Sequence, residues 1–460
     1  MKFLDIKKYS TEYKALTKLG LPITVSQIGM TLQGLADTIM LGQHSAMDLA
    51  AAGFVNSIFI ICILLGVGFS NGAVARMGYL YGQQRPLDLV SVLKSGVWAN
   101  AGLAVLLTMV MSLICYLLPY MGQHPDLLPL MQDYFLILLP SLPILVMTGA
   151  FKPFYDSIND TKTSMWIMLA GNAWNIIFNW LLIFGECGFP ELGIKGAALA
   201  TATSRVLMLL LYIMVFCMHR RYGQYRKLWS SAHASTSEII KLNKLGWPIG
   251  IQMSIETASF AGASLWLGWG GKSWDAVSAL AAYQVMVQVA SMIFLFFIGV
   301  GGAIAIRISN SHGRHDREAI LLSAHGGYQM ILVISIVLTT IAFLMKGSIA
   351  GLFVSSNDPE LLSRVSDIVV ACCIPLALYQ FGDGMQSAYV SALRGLGDVR
   401  PLMLYSFIAY IVVSLPMSYL FGIIMDGGCP GIWYGFPFGL TTAAFLYLRR
   451  FLKTMSRYDM

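Results

Sequence analysis

Long apolar stretches recur along this chain, and short polar or charged segments separate them. A stretch of about 20 apolar residues is long enough to cross the hydrocarbon of a bilayer as a helix. Twelve stretches of that length can be counted, so the pattern predicts twelve membrane-spanning helices. Their approximate limits are 16–41, 49–75, 93–119, 130–152, 163–185, 194–218, 245–269, 277–306, 319–345, 368–392, 401–424 and 431–450.

A polar segment at 219–241 divides the twelve predicted spans into two sets of six, and the sequence repeats on either side of it. KLGLPI, which ends at Ile23, returns as KLGWPI, which ends at Ile249. Residues 68–76 return as 299–307, at an offset of 231 residues. Because each half holds an even number of spans, both halves enter the membrane from the same side, as in transporters built from parallel repeats. The predicted domains are an amino-terminal six-helix lobe, a cytoplasmic linker loop and a carboxy-terminal six-helix lobe, at 1–218, 219–243 and 244–460.

Composition supports a membrane protein and excludes a soluble one. Of the 460 residues, 57% are apolar and 12% are charged, which is too little charge to cover a soluble domain of this size. If the amino terminus lies inside, 25 of the 30 lysines and arginines fall in cytoplasmic segments. This bias predicts a multi-pass protein of the inner (cytoplasmic) membrane with both termini in the cytoplasm. The net charge of +7 is then explained by topology, and no nucleic-acid partner is expected.

Three carboxylates fall inside predicted spans: Asp37 in the first, Glu256 in the seventh and Asp383 in the tenth. A charged side chain in hydrocarbon costs roughly 2.5–3.5 kcal/mol on insertion scales, so it persists only where it faces protein or water. One mid-span base, Arg205, cannot pair with three acids. Buried carboxyl groups can exchange a proton near neutral pH or bind Na⁺ through oxygen, as a cation-coupled antiporter requires. The structural alternatives are hydrogen bonds between helices, or solvation of Asp37 near an interface.

A second polar cluster lies in the fifth predicted span, which contains Asn172, Asn175 and Asn179. Asn175 and Asn179 are four residues apart, so their amides share one face of a helix. Amide oxygens beside a carboxylate suit Na⁺ coordination or a hydrogen-bonded proton site. The alternative is that these amides join neighbouring helices, as is common in membrane bundles.

These residues together resemble the multidrug and toxic compound extrusion (MATE) transporter family, and within it the NorM branch. The resemblance covers essentially the whole chain. Its most specific parts are Pro22 through ADTIMLG at 36–42, LGIKGAA at 192–198, Glu256, LYQ through Asp383 at 378–383, and LRG at 393–395. It implies the MATE fold, an all-α integral membrane protein whose twelve helices form two pseudo-symmetric six-helix bundles around a V-shaped cleft.

The resemblance also implies where cations and substrate bind. The implied cation site of the amino-terminal lobe consists of Asp37, Asn175, Asn179 and Thr201. The implied site of the carboxy-terminal lobe consists of Glu256 and Asp383, which would be the metal ligands if Na⁺ is the coupling ion. The substrate cleft is expected to include Asp37, Glu256, Tyr379 and Asp383.

Two positions depart from the family pattern, and two prolines suggest how helices bend. Asn179 is neutral where some relatives carry an acid, which weakens any two-carboxylate site in the amino-terminal lobe. Arg205 is not typical of the family and would alter the charge balance of that lobe. Pro22 and Pro248 are predicted bending points of the first and seventh helices, because proline removes a helical hydrogen bond.

The function implied by the resemblance is export of cationic amphiphilic drugs and toxic compounds, and hence antibiotic resistance. Entry of Na⁺ or H⁺ would drive this antiport by rocker-switch alternating access. Carboxylates and amides serve Na⁺ and H⁺ alike, so both coupling ions stay open, and no other cofactor is expected. The expected partners are small cationic drugs and membrane lipid, around a monomer.

Four other functions are alternatives to antiport. A lipid-linked oligosaccharide flippase of the same superfamily would need several buried basic residues, and only Arg205 qualifies. A major-facilitator transporter would carry a charged signature between its second and third spans, which is missing at 76–85. An enzyme would need a nucleophile and base or a metal cluster, yet neither HExxH nor GxSxG occurs and the seven cysteines are scattered. A channel would be separated from an antiporter by the absence of saturable, gradient-driven exchange.

Overall fold

The computed structural model describes residues 6–268, 274–353 and 359–458, and these ranges are helical with no strand among them. Each predicted span falls on one of twelve long helical segments, although residue 269 of the seventh span, and Lys2 and Lys272 of the charge pattern, lie outside the described ranges. We number the segments α1 (Ile6–His44), α2 (Ala46–Gly82), α3 (Pro86–Leu117), α4 (Leu128–Ser157, interrupted at 139–140), α5 (Thr161–Phe184), α6 (Ile194–Met218), α7 (Thr236–Gly268), α8 (Ala276–Gly313), α9 (Arg317–Leu344), α10 (Pro359–Leu396), α11 (Arg400–Ile424) and α12 (Gly428–Ser456).

The helices are long and apolar enough for an integral membrane protein. Within the described ranges, nine of the twelve segments meet the length and composition of a membrane span. The remaining three, α1, α7 and α12, are longer than a span but mix charged or polar turns with their apolar ones. At 39 residues, α1 is about 58 Å long at 1.5 Å per residue, which exceeds the hydrocarbon thickness. The predicted all-α membrane architecture is confirmed.

Aspartates fix the first turns of several helices. Asp275 Oδ2 accepts hydrogen bonds from the backbone N and the Oγ of Ser278, both at 2.8 Å, at the start of α8. Asp316 caps α9 in the same way, through the backbone N of Ala319 at 2.9 Å. A carboxylate at this position satisfies a backbone donor that the helix leaves unpaired. These two acids therefore stabilise the starts of their helices.

By its contacts the chain forms two compact units, one of residues 22–250 and one of residues 1–21 together with 251–460. The first boundary falls inside α1, immediately before Pro22. The second falls inside α7, two residues after Pro248. The start of each half's first helix is thus grouped with the other half. The predicted lobes at 1–218 and 244–460 follow sequence order and stay a prediction.

In the unit of residues 22–250, aromatic side chains of α4 pack on the segment that follows α6. The Tyr155 and Tyr222 rings meet edge to face with centroids 5.1 Å apart, and the Tyr155 hydroxyl donates to the Tyr212 carbonyl at 2.8 Å. The segment predicted as a linker is also held on α3, since Lys94 Nζ donates to the Ala232 carbonyl at 2.9 Å. Short helices at Arg220–Tyr222 and Gly223–Leu228 build this segment. The connection between the halves therefore packs as part of this unit.

In the unit of residues 1–21 and 251–460, α8, α10 and α12 enclose an aromatic core. Trp433 and Phe436 of α12 are fully buried. Tyr379 of α10 meets Trp433 edge to face, with ring centroids 5.6 Å apart. Close by, α11 is π-helical over Phe407–Ser414 and Leu420–Ile424. A π-helical turn changes the direction of the side chains that follow it and is frequent at functional sites.

Each unit contains the same ion pair at repeat-related arginines. Arg76 of α2 donates from Nε and Nη2 to the carboxylate of Glu238 in α7, at 2.9 and 2.8 Å. Arg307 of α8 donates from the same two atoms to Glu12 of α1, at 3.0 and 2.5 Å. The two arginines are the residues 231 positions apart that end the repeated 68–76 and 299–307 segments. The repeat in the sequence is therefore matched by a repeated bond in the structure.

Candidate functional site

The first cluster of predicted site residues lies among α1, α5 and α6. Asn179 Nδ2 donates to Asp37 Oδ1 and, at 3.2 Å, to Asn175 Oδ1. Asn175 Nδ2 in turn donates to Thr201 Oγ1 at 3.1 Å. The four residues predicted for the amino-terminal lobe are thus joined in one hydrogen-bonded chain. Their role as a cation site stays a prediction.

The four residues of this hydrogen-bonded chain differ in burial. Asn175 and Asn179 are completely buried, whereas Asp37 and Thr201 are half-buried. The one-turn spacing of the two asparagines orders their amides along α5. Asn172 is 4% exposed and its Nδ2 has no hydrogen-bond partner among the described residues. The structure therefore links two of the three predicted asparagines to the carboxylate.

The second cluster lies among α7, α10 and α11. Glu256 Oε1 accepts hydrogen bonds from the Tyr410 hydroxyl at 2.9 Å and from Gln386 Nε2 at 3.2 Å. Gln386 Nε2 also lies 2.6 Å from the Tyr410 oxygen, which closes a triangle of polar groups. Tyr410 stands in the first π-helical stretch of α11. Glu256 is half-buried and its carboxylate is held by neutral donors.

Asp383 lies in the same unit but is held differently. Its side chain is 0% exposed, and neither carboxylate oxygen has a hydrogen-bond partner among the described residues. One turn earlier on α10, Gln380 is also 0% exposed, and both atoms of its amide lack a described partner. Asp383 interacts electrostatically with Glu256. The structure thus brings together the two acids predicted for the carboxy-terminal lobe and leaves one of them unsatisfied.

Arg394, which the charge pattern predicts at a cytoplasmic span end, lies near the second cluster. Its Nη2 donates to Gln252 Oε1 at 2.6 Å, and its Nε is buried without a described partner. It interacts electrostatically with Glu256. This unit therefore holds a half-buried base beside Glu256, in addition to the buried Arg205 of the other unit.

Gln386 and Tyr410 were not among the predicted site residues. Gln380, Asp383 and Gln386 follow one another at intervals of three residues, which places them along one face of α10. That spacing was a signal for a polar stripe within an apolar helix. Tyr410 gave no such signal, because a lone tyrosine in an apolar run is as often a packing residue.

The remaining predicted residues occupy separate places. Tyr379 is 5% exposed and interacts electrostatically with Asp383 and Glu256. Pro22 and Pro248 lie inside α1 and α7, close to the boundaries between units. Asp37 belongs to one unit and the other residues of the predicted cleft to the other. The cleft that would combine them stays a prediction.

The donor sets of the two clusters suit hard cations. Carboxylate, amide and hydroxyl oxygens are the ligands that such cations prefer, and both clusters offer them. Within the described ranges, no group of three or more His, Cys, Asp or Glu side chains is placed to hold a metal ion. Whether either cluster binds a cation stays a prediction.

Twelve long helical segments in the described ranges, three of them with a carboxylate inside a predicted span, define an integral membrane protein. The MatE family model matches residues 22–181 and 248–420. The chain belongs to the MatE family, which makes it a transporter and not an enzyme. Both matched regions begin at or beside the repeated prolines, one in each half of the chain.

Full-length relatives and solved structures agree with this assignment. The multidrug resistance protein NorM of Aliivibrio fischeri is 28% identical over 98% of both chains. NorM of Vibrio cholerae is 27% identical, also over 98% of both. A solved structure described as the outward-facing conformation of a multidrug resistance MATE family transporter of the MOP superfamily is similar with a TM-score of 0.86. It is 18% identical and covers 97% of each chain. The predicted family and the MATE fold are confirmed.

Proposed function

We propose that this chain is a cation-coupled antiporter in which Na⁺ or H⁺ entering the cell drives export of amphiphilic cationic compounds. The proposal rests on the environment of Asp383. Its carboxylate is fully buried, and neither oxygen accepts a hydrogen bond from any described residue. An ionised carboxylate without donors is costly in a protein interior. Binding of a proton or of Na⁺ removes that cost. Asp383 is therefore suited to bind and release a cation in turn during the transport cycle.

Glu256 completes the proposed coupling site. Its electrostatic interaction with Asp383 is a repulsion when both are ionised, and one cation between them would relieve it. The Tyr410 hydroxyl and the Gln386 amide, which already contact Glu256, add neutral oxygens that Na⁺ could share. The same groups could hold a proton by hydrogen bonding. The proposal accordingly includes both ions and leaves the choice to experiment.

The proposed substrates follow from the named relatives and from the charge of the clusters. The matched relatives carry the name multidrug resistance protein. Glu256 and Asp383 would attract a cationic headgroup, and Tyr379 would offer an aromatic ring beside it. Because substrate and coupling cation would compete for the same carboxylates, binding of one displaces the other. This competition is the minimum that exchange requires.

Alternating access would come from a rocker-switch motion with bending of α1 or α7. Pro22 and Pro248 remove one backbone hydrogen bond each from these helices, which makes them suitable bending points. We further propose that the chain works as a monomer in the bacterial inner membrane with both termini in the cytoplasm. The charge bias of the sequence supports that orientation.

The proposal is tested by ethidium efflux from proteoliposomes that hold the purified protein. One set of vesicles receives an inward Na⁺ gradient and another an inward proton gradient. We expect saturable efflux in at least one set and none without a gradient. Efflux with Na⁺ alone would identify Na⁺ as the coupling ion, and efflux with the pH gradient alone would identify H⁺.

The double variant Glu256→Gln/Asp383→Asn is expected to abolish gradient-driven efflux. Asp367→Asn is the matched control, because Asp367 lies on α10 with an exposed side chain. Intact efflux by the double variant would refute the proposed coupling site. Absence of efflux from the unmodified protein under both gradients would refute drug export and favour transport of a lipid-linked substrate.

A further inference from the structure

Arg205 is a buried cation that the proposed transport cycle leaves without a role. It lies on α6 with 8% of its side chain exposed. Its one hydrogen bond to a described residue runs from Nη1 to Ser141 Oγ in α4, at 2.7 Å. A guanidinium carries five N–H donors, so a single neutral hydroxyl satisfies only a small part of it. A buried charge held this weakly requires compensation from a nearby opposite charge.

The nearby opposite charge is Asp37. Thr201, which ends the hydrogen-bonded chain from Asp37, stands one turn before Arg205 on α6, and residues four apart share a helix face. Arg205 and Asp37 interact electrostatically. Tyr134 of α4 interacts with both charges, which places acid, base and phenol in one cluster formed by α1, α4 and α6.

We propose that Arg205 is the tethered counter-cation of Asp37 and that it prevents a free cation from occupying this cluster. With Asp37 ionised and Arg205 protonated, the cluster of Asp37, Asn175, Asn179, Thr201 and Arg205 has no net charge. A Na⁺ ion added there would leave an uncompensated positive charge. Arg205 thus determines the cation specificity of this unit.

The carboxylates of the other unit show the opposite balance. Among the described residues, Arg394 is the one base that interacts electrostatically with Glu256, so the cluster of Glu256, Asp383 and Arg394 carries one net negative charge when both acids are ionised. One monovalent cation neutralises it. The inference, which rests on the proposed antiport, assigns coupling to one cation per cycle at that cluster and leaves the oxygen ligands around Asp37 unused by the coupling ion.

Na⁺ binding to purified protein in detergent tests the proposal without transport. The background variant is Glu256→Gln/Asp383→Asn, and radioactive ²²Na⁺ is titrated at mildly alkaline pH. With Arg205 in place, we expect no saturable binding. Replacing Arg205 by Gln or by Met is expected to create a single saturable Na⁺ site, with affinity raised at least about tenfold by loss of the repulsion. Both substitutions are made because one of the two variants could fail to fold. Size-exclusion chromatography shows which variants are folded.

Further variants separate charge compensation from a structural role. Arg205→Lys keeps the charge and is expected to create no site. Asp37→Asn added to Arg205→Gln is expected to abolish the new site. Arg364→Gln, which removes an exposed arginine, is the matched control and should change nothing.

Two results would overturn the proposal. One is Asp37-dependent Na⁺ binding of equal affinity with and without Arg205. The other is a folded Arg205→Gln or Arg205→Met protein that gains no site. Neither result depends on whether Glu256 and Asp383 form the coupling site. That separate proposal would be refuted by gradient-driven efflux from the Glu256→Gln/Asp383→Asn variant.

Discussion

At the scale of single residues, Asp383 and Asp398 illustrate two uses of a carboxylate. Asp398 accepts hydrogen bonds from Arg450 Nε and Nη2 at 2.6 and 2.8 Å and from Thr454 Oγ1 at 2.8 Å. Asp383 is more deeply buried, yet neither of its oxygens has a described donor. We expect the first carboxylate to stabilise the fold and the second, when ionised, to lower stability. Such a cost is typical of functional sites.

This contrast predicts opposite stability effects for the same substitution. In Na⁺-free buffer at mildly alkaline pH, Asp383→Asn should stabilise the protein by roughly 1–3 kcal/mol, because it removes an unpaired buried charge. Asp398→Asn should destabilise it by a similar amount, about 1–3 kcal/mol, because three donors lose an ionised acceptor. Thermal melting in detergent measures both. A lower melting temperature for Asp383→Asn would show that the carboxylate is satisfied after all.

The sequence predicted the positions of the buried acids but not their surroundings. Asp37, Glu256 and Asp383 were evident because a charge in an apolar run is rare. The partners Tyr410 and Gln386 were not, since which side chain an acid meets depends on how helices pack. The interaction of Arg394 with Glu256 was not predicted, because a base near a span end usually reaches the interface.

At the scale of helices, glycines allow α2 and α7 to approach closely. A Cβ on Gly68 would stand 2.6 Å from the Gly250 Cα, and one on Gly72 would stand 2.8 Å from the Gly246 N. Contacts this short leave no room for a methyl group, so the backbones themselves form the interface. Small residues have the same use in many membrane helix pairs.

Gly68→Ala should therefore destabilise the protein by about 1–3 kcal/mol, as overpacking does in a well-packed core. Gly53→Ala on the same helix is the matched control, because a Cβ there would meet nothing within 4 Å. This control should be neutral or stabilising by up to about 1 kcal/mol through helix propensity. Thermal melting of both variants decides the matter, and equal effects would refute the close approach.

Helix positions were the most predictable part of the structure, and helix ends the least. All twelve spans follow from apolar length, which the bilayer dictates. The helices run well beyond those spans, as α7 does from Thr236 against a predicted start at 245. Its first turns are polar and are held by Arg76, a contact 162 residues away that no local pattern indicates.

At the scale of the whole molecule, the internal repeat has a structural counterpart in the two ion pairs. Glu12 is 3% exposed and also accepts a hydrogen bond from Ser323 Oγ at 2.6 Å. Glu238 accepts a further bond from Lys241 Nζ at 2.9 Å. Each glutamate thus secures the start of a first helix within one compact unit.

Glu12→Gln and Glu238→Gln should each destabilise the protein by about 1–3 kcal/mol, because a paired arginine loses its counter-charge. The two losses should add in the double variant, since the glutamates share no partner and lie in different units. Thermal melting of the single and double variants measures this. A double variant no less stable than the weaker single one would show that the two pairs are coupled.

The grouping of residues 1–21 with residues 251–460 has a consequence for synthesis and for ancestry. Glu12 leaves the ribosome long before Arg307 and Ser323. The first turns of α1 therefore cannot make these contacts until much of the second half of the chain has been synthesised. Likewise, 22–250 is complete only once the start of α7 has been made. A half-length ancestor would have lacked the helix start that completes its unit, and two copies exchanging those ends would have supplied it. Gene fusion would then have made a dimer's exchange permanent within one chain.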